Sequence, residues 1–248
     1  MVDLKISFSK YDYFGIIIPG FTLLILILFL CPLEIFIELS NLLNLFGNLE
    51  FAFIFLIGLA IVIISYLFGT IISGMGYWLI EDKIIKNKLR YPSTHLFRTK
   101  KTTKGWFKNY RSNYSDQFRE HFNEVFNNYF NSFKKENYKE TDKFKLCYHL
   151  VKEKSPVAFQ RLTTFISLYG LYRNLTITFI LGTFLYLYKI IITLDLLYLI
   201  LIIGFPLLSI FCFNNFLKFF RIYADEVFRS FFIYALEKQG PRKNDLKL

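Results

Sequence analysis

The sequence predicts an all-helical integral membrane protein with four transmembrane helices and a helical cytoplasmic domain inserted between the second and the third. Three observations support this prediction. The 248 residues are 54% hydrophobic, with a mean hydropathy of +0.37. Yet the chain carries 30 Lys and Arg against 19 Asp and Glu, so the apolar and the charged residues must occupy different segments. Third, four long runs are almost free of charged side chains.

These four apolar runs are the predicted spans. They cover residues 14–37, 51–80, 174–192 and 196–214. The only charged side chains in them are Glu34 and Lys189, each near the end of its run. A bilayer core about 30 Å thick requires roughly 20 apolar residues in a helix, and the runs reach or approach that length. No small-residue cleavage site follows the first run, so we interpret it as a retained span and not as a signal peptide.

The distribution of charge predicts both the domains and the topology. Residues 1–80 and 174–214 form two membrane hairpins, 81–173 a basic helical cytoplasmic domain, and 215–248 a cytoplasmic C-terminal helix and tail. No Lys or Arg occurs between Lys10 and Lys83, whereas residues 81–173 hold 20 Lys and Arg against 9 Asp and Glu. Basic segments beside a span remain in the cytoplasm. We therefore expect both termini and the central domain to be cytoplasmic.

Two amphipathic helices are predicted in the central domain. The stretch "SDQFREHFNEVFNNYFNSF", residues 115–133, places aromatic side chains on one face at helical spacing. Ser115 is suited to cap its N-terminus, because a serine oxygen can accept a hydrogen bond from an N–H of the first turn. A shorter helix is predicted from Thr141 to Lys154.

The third and fourth spans are predicted to extend into the cytoplasm. Ser155 and Pro156 are typical of a helix start, and no helix breaker follows before Ile192. After Asn214, aromatic and apolar residues continue at alternating steps of four and three as far as Gly240. That spacing predicts a face that packs against another helix.

A repeat of small residues lies in the second run. Ser65, Gly69 and Ser73 recur every four residues. Small side chains allow two helices to approach closely in lipid. The pattern fits helix packing within one chain and between subunits equally well.

The middles of the four runs contain no carboxylate, histidine or arginine. Proton relays, ion-coupling sites and voltage sensors generally need such groups. The sequence therefore argues against an ion pump or a secondary transporter. It leaves open a pore built from several copies, because a hydrophobic constriction can gate without charges.

A basic and aromatic run follows the second span and is a candidate binding surface for lipid or RNA. Its members are Arg98, Lys100, Lys101, Lys104, Trp106, Lys108 and Arg111. Basic side chains mixed with rings suit RNA or a nucleotide signal, with cations on phosphates and rings on bases. They also suit anionic lipid headgroups below the membrane, and the short distance along the chain from the second span favours lipid.

Arg90 and His95 have the Arg-x4-His spacing that resembles the RNA-cleaving motif of HEPN domains. In that family the motif lies on a helix, with a polar residue directly after the arginine. Here Tyr91 follows the arginine, and Pro92 disfavours helical backbone at Tyr91. We therefore predict a turn, with Arg90 and His95 as weak catalytic candidates only.

Other catalytic and metal-binding patterns are not found in the sequence. The histidines and cysteines do not stand at metal-ligand spacing, and no glycine-rich phosphate loop occurs. We therefore expect no metal, no cofactor and no enzymatic activity.

Three stretches resemble pieces of bacterial membrane proteins: "YDYFGIIIPGF", "LYGLYRNL" and "FRIYADEVFRSF". The layout of the chain is similar to membrane proteins encoded beside antiviral systems, such as the accessory proteins of type VI-B CRISPR loci and the multi-span effectors of cyclic-oligonucleotide defence. The resemblance implies a homo-oligomeric effector or regulator that perturbs the bacterial inner membrane when a cytoplasmic signal arrives. The alternatives are a non-conducting scaffold that recruits a soluble protein partner and a membrane-tethered ribonuclease.

Overall fold

The computed structural model describes residues 9–31, 50–98, 107, 110–130, 140–194 and 197–239. This part of the chain is helical and contains no strand. Its helices are α1 (Asp12–Leu28), α2 (Glu50–Gly76, continued by a π-helical segment Tyr77–Leu89), α3 (Pro92–Leu96), α4 (Asp116–Phe130), α5 (Glu140–Lys154), α6 (Pro156–Thr193) and α7 (Leu197–Gln239). The predicted all-helical class is confirmed for these residues.

Three helices, α2, α6 and α7, are long and apolar enough to cross a membrane, whereas α1 is apolar but shorter. The helix predicted over residues 14–37 ends at Leu28, and the chain turns at 29–31. The sequence gives a reason that the prediction overlooked. Pro32 has no N–H to donate to the carbonyl of Leu28, and it disfavours helical backbone at Cys31. Residues 32–37 of the predicted span lie outside the described residues.

The predicted starts of the later helices are confirmed. α4 begins directly after Ser115, whose Oγ accepts a hydrogen bond from the N–H of Phe118 at 3.3 Å. α5 and α6 are separated only by Ser155, with Pro156 as the first residue of α6. α7 ends at Gln239, just before the predicted stop at Gly240. The last three residues of the helix predicted over 115–133 lie outside the described ranges.

The chain divides into two compact units. The first unit consists of Met1–Lys83 and Ser167–Phe216, and the second of Ile84–Ile166 and Leu217–Leu248. The predicted membrane hairpins, 1–80 and 174–214, fall in the first unit. Helices α6 and α7 are each continuous and contribute residues to both units.

In the first unit, α1 runs antiparallel to α2. Gly20 of α1 faces the backbone of Ser65, and Ile16, one turn earlier, faces Gly69. A later residue of α1 therefore contacts an earlier residue of α2, as expected for antiparallel helices.

Helix α1 runs parallel to α6 in the same unit. Asn174 Nδ2 donates to the carbonyl of Gly15, and Lys189 Nζ donates to the carbonyl of Leu30 at 3.1 Å. The two residues of each pair are 159 positions apart in the sequence, so α1 and α6 run in the same direction with a constant register. Helix α7 returns antiparallel to α6, because Ser209 Oγ donates to the Thr176 carbonyl at 3.3 Å. The rings of Tyr186 and Tyr198 meet at the other end, with centroids 5.7 Å apart.

The outer surface of the first unit is apolar. Large hydrophobic side chains are exposed along α2, α6 and α7, among them Ile54, Phe55, Ile71, Phe184, Ile191, Ile200 and Phe211. Soluble proteins rarely expose contiguous apolar patches of such extent. Where the apolar part of α2 ends, Tyr77 and Trp78 are exposed, and Lys83 Nζ lies 5.6 Å from the Trp78 ring centroid. Exposed aromatic and basic residues at the end of an apolar helix are typical of a membrane–water boundary.

The second unit has an aromatic core. Phe122 and Phe126 of α4 are fully buried against Phe228 and Phe231 of α7, and the Phe122 and Phe228 rings meet edge to face at 5.5 Å. The predicted aromatic face of α4 is thus confirmed for its described members, and so is the packing face of α7. Each buried ring removes a large apolar area from water and is a main source of stability for the unit.

Candidate functional site

A buried polar cluster joins three helices of the first unit. Its centre is Arg173 of α6, which is only 4% exposed. The guanidinium forms an ion pair with Glu81, and Nη2 donates to Ser73 Oγ at 2.8 Å and to the Tyr11 hydroxyl at 3.2 Å. Its Nε donates to Asn174 Oδ1 at 3.0 Å. We call these five residues the Arg173 cluster.

Glycines allow the Arg173 cluster to close. A Cβ at Gly76 would lie 2.9 Å from Asn174 Oδ1, and one at Gly170 would lie 2.5 Å from the ring of Tyr11. A Cβ at Gly15 would lie 3.0 Å from the same ring, so the tyrosine ring lies close to two glycines. The first two stretches on which the family resemblance rests, "YDYFGIIIPGF" and "LYGLYRNL", therefore lie together here.

The sequence interpretation missed the Arg173 cluster. Arg173 and Glu81 served only as boundaries of the predicted cytoplasmic domain. A signal was available, because Tyr11, Glu81 and Arg173 each stand beside the predicted cytoplasmic end of an apolar run. A buried charge is costly unless it is paired and hydrogen-bonded. The cluster meets that requirement within one chain, which indicates that it holds α1, α2 and α6 together.

The small-residue repeat of α2 lies inside the same unit. Ser65 and Gly69 face α1, and Ser73 binds Arg173. The sequence left packing within one chain and between subunits equally open. The structure places these three residues against helices of their own chain.

The turn predicted over Arg90–His95 is found at Arg90 and Tyr91, whereas the residues from Pro92 to His95 are helical. Helix α2 ends at Leu89, and Arg90 adopts a left-handed conformation with φ 63°. Tyr91 is extended, with φ −68° and ψ 145°, and Pro92 begins the short helix α3. The HEPN motif lies on one continuous helix, whereas here the helix is interrupted between Arg90 and His95.

His95 is buried and engaged in a structural contact. It is 3% exposed, its Nε2 donates to the carbonyl of Leu89, and its ring meets the edge of Tyr110 at 5.7 Å. Burial lowers the pKa of His95, the hydrogen bond to Leu89 opposes this, and the positive charges of Arg111, Arg98 and Arg90 lower the pKa further. The imidazole is thus neutral at pH 7 and carries its proton on Nε2.

The basic run is only partly described. Arg98 is exposed, and Arg111 is half-buried. Both lie in the second unit with Arg90, and all three act electrostatically on His95. The candidates Lys100, Lys101, Lys104, Trp106 and Lys108 lie outside the described residues.

A second polar cluster lies on α7, within the stretch "FRIYADEVFRSF". The Tyr114 hydroxyl donates to Asp225 Oδ1 at 2.7 Å, and Arg229 Nε donates to Asp225 Oδ2 at 2.8 Å. Burial and the charge of Asp225 raise the pKa of Tyr114, so the phenol stays protonated. Arg221 Nη1 donates to the carbonyl of Ser112 at 2.6 Å. These contacts attach the 110–114 segment to α7.

Within the described ranges, no group of three or more His, Cys, Asp or Glu could hold a metal ion. No protein-family model, no curated protein and no solved structure matches the chain. The function must therefore be inferred from the geometry of these clusters and from the apolar exterior of the first unit.

Proposed function

We propose that the chain crosses the inner membrane of a bacterium four times, with both termini in the cytoplasm. The parallel register of α1 and α6 supports the extra crossing by α1. Two parallel helices that cross the membrane are separated by an odd number of other crossings, and α2 supplies one. At 17 residues, α1 is roughly 25 Å long, and a bilayer can thin locally around a short span.

Within that membrane, the chain acts as an oligomeric effector that perturbs the bilayer when a cytoplasmic signal or partner protein arrives, as a component of an antiviral defence system. The observation that carries this proposal is the continuity of α6 and α7. Each helix contributes to the aromatic core of the second unit and to the apolar first unit without a break. A displacement of either helix by a bound signal would therefore be transmitted along its own backbone.

A specific observation favours the scaffold as a second candidate. The exposed side chains of the described spans are largely apolar, and Arg173 and Asn174 are enclosed within the chain. Such a surface offers little to line a water-filled channel, so a pore would need a hydrophobic constriction. A scaffold that recruits a soluble partner needs no such lining.

We do not assign a catalytic role to Arg90 and His95. A general acid or base needs a ring nitrogen within reach of the substrate. The Nε2 of His95 is committed to Leu89, and the side chain is buried.

Expression of the wild-type chain in bacteria separates the three functions. We expect membrane depolarisation and entry of an impermeant dye soon after induction, with cellular RNA intact. The matched variant is His95→Gln, whose amide can still donate to the Leu89 carbonyl. Decay of RNA in the wild type that is lost in His95→Gln would instead establish the ribonuclease. A well-expressed wild type that never depolarises cells, with or without its signal, would leave the scaffold as the remaining candidate function.

A further inference from the structure

Hydrogen bonds join two segments of the second unit that carry three arginines, and all three arginines act electrostatically on His95. The Tyr110 hydroxyl donates to the carbonyl of Arg90 at 2.8 Å, and Asn113 Nδ2 donates to the carbonyl of Arg98 at 2.8 Å. Arg111 lies between these two contacts, on the same short segment. Residues 90–98 and 110–114 are thereby joined into one structure, although the connection between them is long.

Among the described residues, none of these three arginines forms an ion pair with a carboxylate. In the described part of the chain, the carboxylates that form ion pairs with arginine do so with Arg119, Arg161, Arg173 or Arg229. The Nε of Arg111 is buried and has no hydrogen-bond acceptor among the described residues. Arg90 and Arg98 are exposed, so their guanidinium groups are accessible to an anion from solution or from the membrane surface.

We propose that Arg90, Arg98 and Arg111 form a binding site for a phosphate group. A guanidinium presents its N–H donors in a planar fork that matches two oxygens of a phosphate.

The site recognises phosphate and not a nucleic-acid base. Two rings beside it, His95 and Tyr110, are 3% and 4% exposed, so neither of them can stack on an incoming base. The phosphate belongs to an anionic lipid headgroup or to a soluble phosphate ester. His95 is a positioning residue, because its bond to Leu89 fixes the turn from which Arg90 projects.

This proposal defines a site within the basic surface and does not depend on whether the chain perturbs the membrane. The test uses the full chain, purified in neutral detergent, and follows its thermal unfolding. Inorganic phosphate and pyrophosphate are titrated against chloride at equal ionic strength, and short-chain phosphatidic acid against phosphatidylcholine. A ligand that binds the folded state raises the unfolding temperature.

We expect saturable protection by phosphate and by phosphatidic acid, but not by chloride or phosphatidylcholine. Arg98→Gln, Arg111→Gln and Arg90→Asn should each weaken binding about tenfold, since each removes a charge-assisted contact. Asparagine is chosen at position 90 because it tolerates the left-handed backbone there. The control is Lys152→Gln, which removes one exposed charge from the same unit and should change little.

Protection at a lower concentration of phosphatidic acid than of inorganic phosphate would identify a lipid source, and the reverse would identify a soluble one. The proposal fails if chloride protects as well as phosphate, or if Lys152→Gln weakens binding as much as Arg98→Gln. It also fails if single-stranded RNA protects while phosphate and phosphatidic acid do not. If Arg111→Gln does not fold, the binding measured for Arg98→Gln decides the outcome, because the Arg98 side chain is exposed.

Discussion

Gly20→Ala is expected to prevent α1 from packing against α2. The added Cβ would lie 1.8 Å from the carbonyl oxygen of Ser65 and 2.6 Å from the backbone nitrogen of Gly69. Backbone atoms of a helix cannot rotate away as a side chain can, so the helices must separate. Overpacking of this kind costs about 1–3 kcal/mol or more. The measurement is the thermal unfolding midpoint of the purified protein in detergent.

Gly69→Leu should have an effect at least as large, because a Cβ there would lie 2.1 Å from the Ile16 carbonyl. Gly58→Ala and Gly74→Ala are matched controls on the same helix, since nothing lies within 4 Å of either new Cβ. Both controls should keep the wild-type unfolding midpoint. A Gly69→Leu protein with that midpoint would show that α1 does not lie against this face of α2.

Arg173→Met is expected to destabilise the first unit severely. The substitution leaves Glu81 charged in a site where its side chain is only 12% exposed, and it removes the donor to Ser73 and Tyr11. Loss of one partner of a buried ion pair costs about 3–5 kcal/mol. The yield of folded protein and its unfolding midpoint measure the effect.

The double variant Arg173→Met with Glu81→Gln should recover much of this loss, because no unpaired charge remains. Arg161→Met is the matched control. Arg161 pairs with Glu226 at 3.2 Å, but its side chain is 61% exposed, so its loss should cost at most about 1 kcal/mol. Equal losses of stability in Arg161→Met and Arg173→Met would contradict the conclusion that the buried Arg173 cluster holds α1, α2 and α6 together.

The sequence predicted the elements whose signals are local. Ser115 and the Ser155–Pro156 pair begin their helices where their capping chemistry predicts, and Gly240 directly follows the end of α7. The aromatic face of α4 was readable because helical spacing alone determines which side chains share a face.

The contacts that define the candidate sites depend on which helices meet, and spacing along one helix does not contain that information. The partner of Gly69 is Ile16, 53 positions earlier, and the partner of Arg173 is Glu81, 92 positions earlier. The early end of α1 was predictable in principle from Pro32. Nothing in the sequence explains the π-helical segment Tyr77–Leu89.

In the proposed topology, α1 and α2 form a membrane hairpin whose connection lies outside the cell, and residues 81–173 lie in the cytoplasm. Single cysteines are placed at Asn44 and at Asn137 in a chain whose three native cysteines have been replaced. Intact cells are then treated with a membrane-impermeant thiol reagent. The four-span topology predicts labelling at position 44 in intact cells and at position 137 only after permeabilisation. Labelling at position 44 only after permeabilisation, or at position 137 in intact cells, would contradict it.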